Sequence, residues 1–148
     1  MFVKIIFCLV LGYLFGLIQT GYIYGKFVKG IDIREYGSHS AGATNTVRTL
    51  GRWAGYIAFL GDGFKATIAL CLVRFVLFPH QEPLTGALMM VTGIGVILGH
   101  DFPFYMGFKG GKGISSTGGM MLAVHPLFAL AEGILFLIVF FTTRYVSL

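Results

Sequence analysis

The chain has 148 residues, of which 56% are hydrophobic and only 11% charged, and its mean hydropathy is +0.83. Soluble domains carry about a quarter charged residues, so this composition excludes an ordinary water-exposed domain and points to a single membrane-embedded one. The net charge is +5 at pH 7, but the basic residues lie between apolar runs. That pattern suits loops facing anionic lipid or an anionic substrate, and argues against nucleic acid as a partner.

The first apolar run, residues 5–24, is long enough to span a bilayer and ends at Lys26 and Lys29. It extends beyond a signal-peptide core and is read as a retained transmembrane helix. The polar segment 30–52 that follows is the one long stretch resembling an aqueous loop. A second run, residues 53–78, is interrupted by Asp62, Lys65 and Arg74. Asp62 and Lys65 sit three apart on one helix face and can pair inside the span. Residues 79–83 form a turn without Lys or Arg, where His80 is assigned no chemistry. A third run, residues 84–99, leads to His100. The last, residues 114–143, is broken at His125-Pro126 and closes at Arg144. Proline there favours two short helices over one, neither comfortably long enough to span. The expected fold is all-α, a polytopic membrane bundle of about four to five transmembrane helices. The basic loops 26–52 and around Lys109 hold five and two Lys/Arg, which predicts both on the cytoplasmic side.

Cys8 and Cys71 lie in apolar runs and read as small buried hydrophobes, without metal-ligand spacing. Two segments carry chemistry instead. Residues 37–48, Gly-Ser-His-Ser-Ala-Gly-Ala-Thr-Asn-Thr-Val-Arg, combine two glycines, five hydroxyl or amide side chains and Arg48, which can fork onto phosphate. The competing structural reading makes Ser38 or Thr44 a helix N-cap. The second segment runs from Gly99-His100 to Phe108-Lys109-Gly110-Gly111-Lys112-Gly113. Its glycines are expected to turn successive backbone N–H groups onto one anion while the lysines add charge. The spacing matches neither the nucleotide P-loop nor the dinucleotide fingerprint, so nothing points to ATP. His100, beside both charge and the glycine loop, is a candidate substrate contact, or else a hydrogen-bonded structural group.

These two segments in register, with Asp62-x-x-Lys65 and the ending Thr143-Arg144-Tyr145-Val146-Ser147-Leu148, resemble the bacterial acyl-phosphate:glycerol-3-phosphate acyltransferases. The resemblance implies transfer of a fatty acyl group from acyl phosphate to the 1-hydroxyl of glycerol 3-phosphate, giving lysophosphatidate and phosphate. It implies no cofactor and no metal. Ser38, Asn45 and Arg48 would bind and polarise phosphate or carbonyl oxygen. Gly37, Thr44 and His100, with Lys109, Gly110, Gly111, Lys112 and Gly113, would contact substrate. It further implies a bacterial plasma-membrane location, membrane lipid around the helices, and a partner enzyme supplying acyl phosphate.

Two departures stand out. His39-Ser40-Ala41 occupies the place where the family usually reads Gly-Asn-Pro. Family members also continue into last helices and a third motif with a histidine and an asparagine, so the expectation is one domain, residues 1–148, lacking that motif. Three readings follow from this: a minimal acyltransferase, a weak or inactive paralogue that binds the same phosphates, or a small transporter of them.

Overall fold

The structure, a computed structural model, describes residues 1–79 and 83–143. His80 and the terminal segment from Arg144 to Leu148 lie outside the described residues. Seven α-helices account for most of the rest: α1 (Phe2–Gly16), α2 (Thr20–Lys29), α3 (Ala43–Leu50), α4 (Arg52–Leu72), α5 (Leu84–Asp101), α6 (Ile114–Val124) and α7 (Pro126–Thr143). Among the described residues four segments are long and apolar enough to cross a membrane: Phe2–Lys29, Arg52–Leu77, Leu84–Met106 and Pro126–Thr143.

The final apolar run is two helices, as the proline implies. His125 is extended and Pro126 opens α7, where its missing N–H costs nothing. The two halves are unequal, however. At 18 residues α7 reaches spanning length, whereas α6, with 11, is about 16 Å long and penetrates only half a bilayer. The first span is also not continuous, because α1 stops at Gly16 and α2 resumes at Thr20.

Small residues bring the helices together. α1 presents Gly12 and Gly16, and α5 presents Gly95 and Gly99, each pair four apart. A Cβ on Gly12 would overlap the Thr92 carbonyl, and one on Gly95 or Gly99 would overlap the Leu9 or Tyr13 carbonyl. The backbones therefore touch, the packing that drives helix association where lipid supplies no hydrophobic force. Gly119 of α6 meets Gly63 of α4 in the same way, and Thr67 Oγ1 donates to Gly119 O at 2.9 Å. The apolar core lies between these helices, around Cys8, Ala66, Leu70, Val73, Leu88 and Val96, while Cys71 is only half-buried.

The α1–α2 break exposes carbonyls that lipid cannot satisfy. Each receives a side-chain donor: Lys65 Nζ binds Gly16 O (3.1 Å) and Ile18 O (2.5 Å), and the Tyr105 hydroxyl binds Leu17 O (2.7 Å). Gln19, fully buried, donates Nε2 to His100 O at 2.7 Å and so ties the break to the end of α5. These contacts fix where α2 and α5 deliver the two polar loops.

Candidate active site

The first loop spans residues 30–42, between α2 and α3. Ile33, fully buried, anchors a single 3₁₀ turn (Ile33–Glu35). Gly37 follows with φ +61°, and a Cβ there would strike Asn45 Oδ1. Only glycine meets both demands. Asn45 is 1% exposed, and its amide is fully engaged: Oδ1 accepts from Ser38 N (2.8 Å), and Nδ2 faces the carbonyls of Ile33 (2.8 Å), Tyr36 (3.1 Å) and Ser40 (2.9 Å). The structure thus places Asn45 inside the loop rather than on its rim, where it holds Ser38 exposed.

His39 takes φ +55°, a left-handed conformation that costs a non-glycine residue roughly 1–2 kcal/mol. Its ring Nδ1 lies 2.9 Å from Arg34 O, which holds the turn. Ser40 Oγ accepts from Gly42 N (3.2 Å), and Ala41 donates its N–H across to Gly110 O (3.1 Å). A proline at position 41 could not make that bond.

Gly42, not Ser38 or Thr44, is the N-cap of α3, and no side chain caps the helix. The amides of residues 43–45, at the start of a helix whose first internal bond is Thr46 N to Gly42 O, carry the helix's partial positive charge. Thr44 is half-buried in this first turn, and Arg48, exposed in the last turn, makes no hydrogen bond or ion pair with the described residues.

The second loop spans residues 102–113, between α5 and α6. Here the glycines do something other than expected. Gly110 N donates to Asp101 O and Gly111 N to His100 O, both at 3.0 Å, so neither amide points at a ligand. A Cβ on Gly110 would overlap His100 O, and one on Gly111 would overlap the His100 ring. The two glycines let the loop fold flat against the end of α5. Further donors lie in the first turn of α6, which opens at Gly113 (φ +69°) without a side-chain cap. Lys109 and Lys112 are both exposed on this loop.

His100 lies underneath, 3% exposed, with Nδ1 2.8 Å from Lys65 Nζ. With Lys65 as donor, Nδ1 accepts and the ring proton sits on Nε2, the edge that faces Gly111. Lys65 also pairs with Asp62 at 3.1 Å, as the spacing predicts. The histidine supports the loop from within the bundle.

The two loops meet. Besides the Ala41–Gly110 bond, a Cβ on Gly42 would lie 3.9 Å from Gly111 Cα. Two helix starts without side-chain caps, α3 and α6, thus open from loops that touch, with Lys109 and Lys112 exposed on the second loop and Arg48 in the last turn of α3. Helix N-termini of this kind are ready-made anion sites. Beside α6 lies an apolar groove of about 460 Å³, lined by Phe59, Ile114, Leu122, Leu130 and Phe136. Among the described residues no cluster of three or more His, Cys, Asp or Glu could hold a metal ion.

Sequence patterning missed Arg34 and Gln19. Both were plain loop or helix residues until the fold brought distant carbonyls to them. The glycine pairs of α1 and α5 had a signal, their spacing of four within apolar runs, that would have found the helix contact.

A membrane-type helical bundle whose two basic loops touch defines a polytopic membrane protein. The family model for glycerol-3-phosphate acyltransferase matches residues 6–148, and the chain belongs to that family of membrane acyltransferases. Similar curated relatives include the glycerol-3-phosphate acyltransferases of Bacillus subtilis (42% identical over 140 residues, 95% of this chain and 69% of the relative) and Clostridioides difficile (43% over 141, 94% and 68%). The crystal structure of PlsY (YgiH), an integral membrane glycerol 3-phosphate acyltransferase, in its glycerol 3-phosphate form matches with a TM-score of 0.82 and 36% identity, covering 96% of this chain and 68% of that one. Its lysophosphatidic acid form matches with a TM-score of 0.79 and 35% identity, over 96% and 67%. The chain spans about two thirds of the length of the relatives it matches.

Proposed function

We propose that this chain transfers a fatty acyl group from acyl phosphate to the 1-hydroxyl of glycerol 3-phosphate. The hydroxyl oxygen attacks the acyl carbonyl, the resulting oxyanion collapses, and inorganic phosphate leaves with the bonding electron pair. The hydroxyl proton passes to that phosphate, so the net products are lysophosphatidate and phosphate. An acyl phosphate is already activated, and the protein's task is to hold two mutually repelling anions together and stabilise the oxyanion.

The amides opening α3, including that of Thr44, together with the Ser38 hydroxyl and Arg48, take the acyl phosphate and its developing oxyanion. The amides opening α6, with Lys112 and Lys109, take glycerol 3-phosphate. Gly37, Gly110, Gly111 and Gly113 serve through backbone shape. Asn45 and His100 are positioning groups, the first for Ser38 and the second for Gly111. The apolar groove beside α6 suits the acyl tail. The single observation that carries this reading is the approach of Gly42 to Gly111, beside the Ala41–Gly110 hydrogen bond, which brings the loops leading into α3 and α6 together.

By the positive-inside rule both loops face the cytoplasm of a bacterial plasma membrane. There they would meet acyl phosphate, a labile mixed anhydride, from an enzyme that makes it nearby. The test is turnover by purified protein in lipid nanodiscs with acyl phosphate, acyl-coenzyme A or acyl carrier protein as donor. Lysophosphatidate from acyl phosphate alone supports the proposal, and product from a thioester donor or from none refutes it.

A further inference from the structure

We infer that Arg34 is a positioning residue for glycerol 3-phosphate capture, a strut that sets the shape of the second loop from the first. Its guanidinium forks onto Asp32, with Nε 3.0 and 3.2 Å from the two carboxylate oxygens and Nη2 2.7 Å from Oδ2. The remaining nitrogen, Nη1, reaches across to the second loop and donates to Met106 O (2.7 Å) and Lys109 O (3.2 Å). The plane also lies over the Tyr22 ring of α2, 5.2 Å from its centroid. One side chain therefore joins α2, the first loop and the second.

The two carbonyls it grips are not arbitrary. They bracket Gly107 (φ +65°) and Phe108 (φ +60°), consecutive left-handed residues, the second of them unfavourable for a side chain with a Cβ. Pinning both ends holds that strained turn closed. The turn in turn sets the path of residues 109–112, including Lys112. The hydrogen bond to Asp32 pushes the Arg34 pKa up, and the same bond holds the Asp32 carboxyl below the usual range. Lysine cannot replace this function, because one ammonium cannot fork on a carboxylate and reach two carbonyls beyond it.

The inference rests on the reading that the second loop binds glycerol 3-phosphate. It is tested by calorimetric titration of glycerol 3-phosphate into nanodisc-embedded wild type, Arg34→Gln, Arg34→Lys and Asp32→Asn, with steady-state kinetics alongside. Arg34→Gln is expected to weaken binding about tenfold and Asp32→Asn about threefold, the scale of losing charge-assisted hydrogen bonds that orient a loop. KM for glycerol 3-phosphate should rise in the same ratio while KM for acyl phosphate stays put. Should Arg34→Gln fail to fold, Arg34→Lys and Asp32→Asn give the same reading. Wild-type affinity in the variants that fold, or equal losses for both substrates, overturns the inference alone. A wild type that binds no glycerol 3-phosphate overturns the substrate assignment with it.

Discussion

Lys65→Met removes the cation buried at the helix break while keeping the side chain's length and apolar stem. The side chain is 3% exposed and its ammonium has four partners: Asp62 at 3.1 Å, His100 at 2.8 Å and the carbonyls of Gly16 and Ile18. Deleting one member of a buried ion pair costs about 3–5 kcal/mol, chiefly because the other charge is left uncompensated. Asp62, 0% exposed, would be that charge, and its Oδ2 already has no hydrogen-bond partner. For a chain of this size each kcal/mol moves the midpoint by about 2–4 °C, which gives a fall of roughly 6–20 °C. Thermal unfolding in detergent can be followed with a thiol-reactive fluorophore in a Cys71→Ser background, since Cys71 is half-buried whereas Cys8 is fully buried and reacts only on opening. Asp62→Asn combined with Lys65→Met should recover about half the loss, because no buried charge is then stranded. A single variant that melts within about 2 °C of wild type would refute the reasoning, as would a double variant no better than the single one.

Asn45→Asp keeps shape but replaces the donating Nδ2 with a carboxylate oxygen that repels the carbonyls of Ile33, Tyr36 and Ser40. Limited proteolysis should then cut the loop at residues 36–40, and kcat should fall about a hundredfold or more through misplaced Ser38. An intact loop with lowered kcat would make Asn45 a substrate contact instead. Gly95→Leu drives a side chain into the α1 backbone at Leu9 and should cost at least about 1–3 kcal/mol, read as a lower midpoint in the same thermal assay. A third expectation concerns pH. Arg34 holds the folded-state pKa of Asp32 below its unfolded value, so the pair stabilises above the unfolded value and the gain is lost as pH falls through the folded one. The midpoint difference between wild type and Asp32→Asn should therefore be flat from about pH 8 to 5 and shrink only below roughly pH 4. A difference that already fades near pH 6 would contradict the pairing.

Much of this protein is legible from its residues. Apolar runs end where charges and prolines begin, because backbone in lipid must hydrogen-bond to itself, and that constraint leaves little but helices. Pro126 marked the division of the last run, and the spacing of Asp62 and Lys65 announced their pair. The break at residues 17–19 was invisible, since no proline or charge marks it; it exists because Lys65 and Tyr105, both distant in sequence, supply partners for its carbonyls, while Gln19 within it reaches the end of α5. The glycines of the second loop were expected to aim their amides at an anion. The same residue type also permits close backbone approach, and here that use prevails for Gly110 and Gly111. Arg34 read as one loop charge among several, and its reach to Met106 depends wholly on tertiary placement.

The central claim is that two phosphorylated molecules are gripped at once, one by each loop. The most direct measurement is the inhibition pattern of an acyl phosphonate, which mimics acyl phosphate but cannot transfer its acyl group. Inhibition competitive with acyl phosphate but not with glycerol 3-phosphate is the predicted result. Competition against both substrates would mean a single shared anion pocket and would contradict the account.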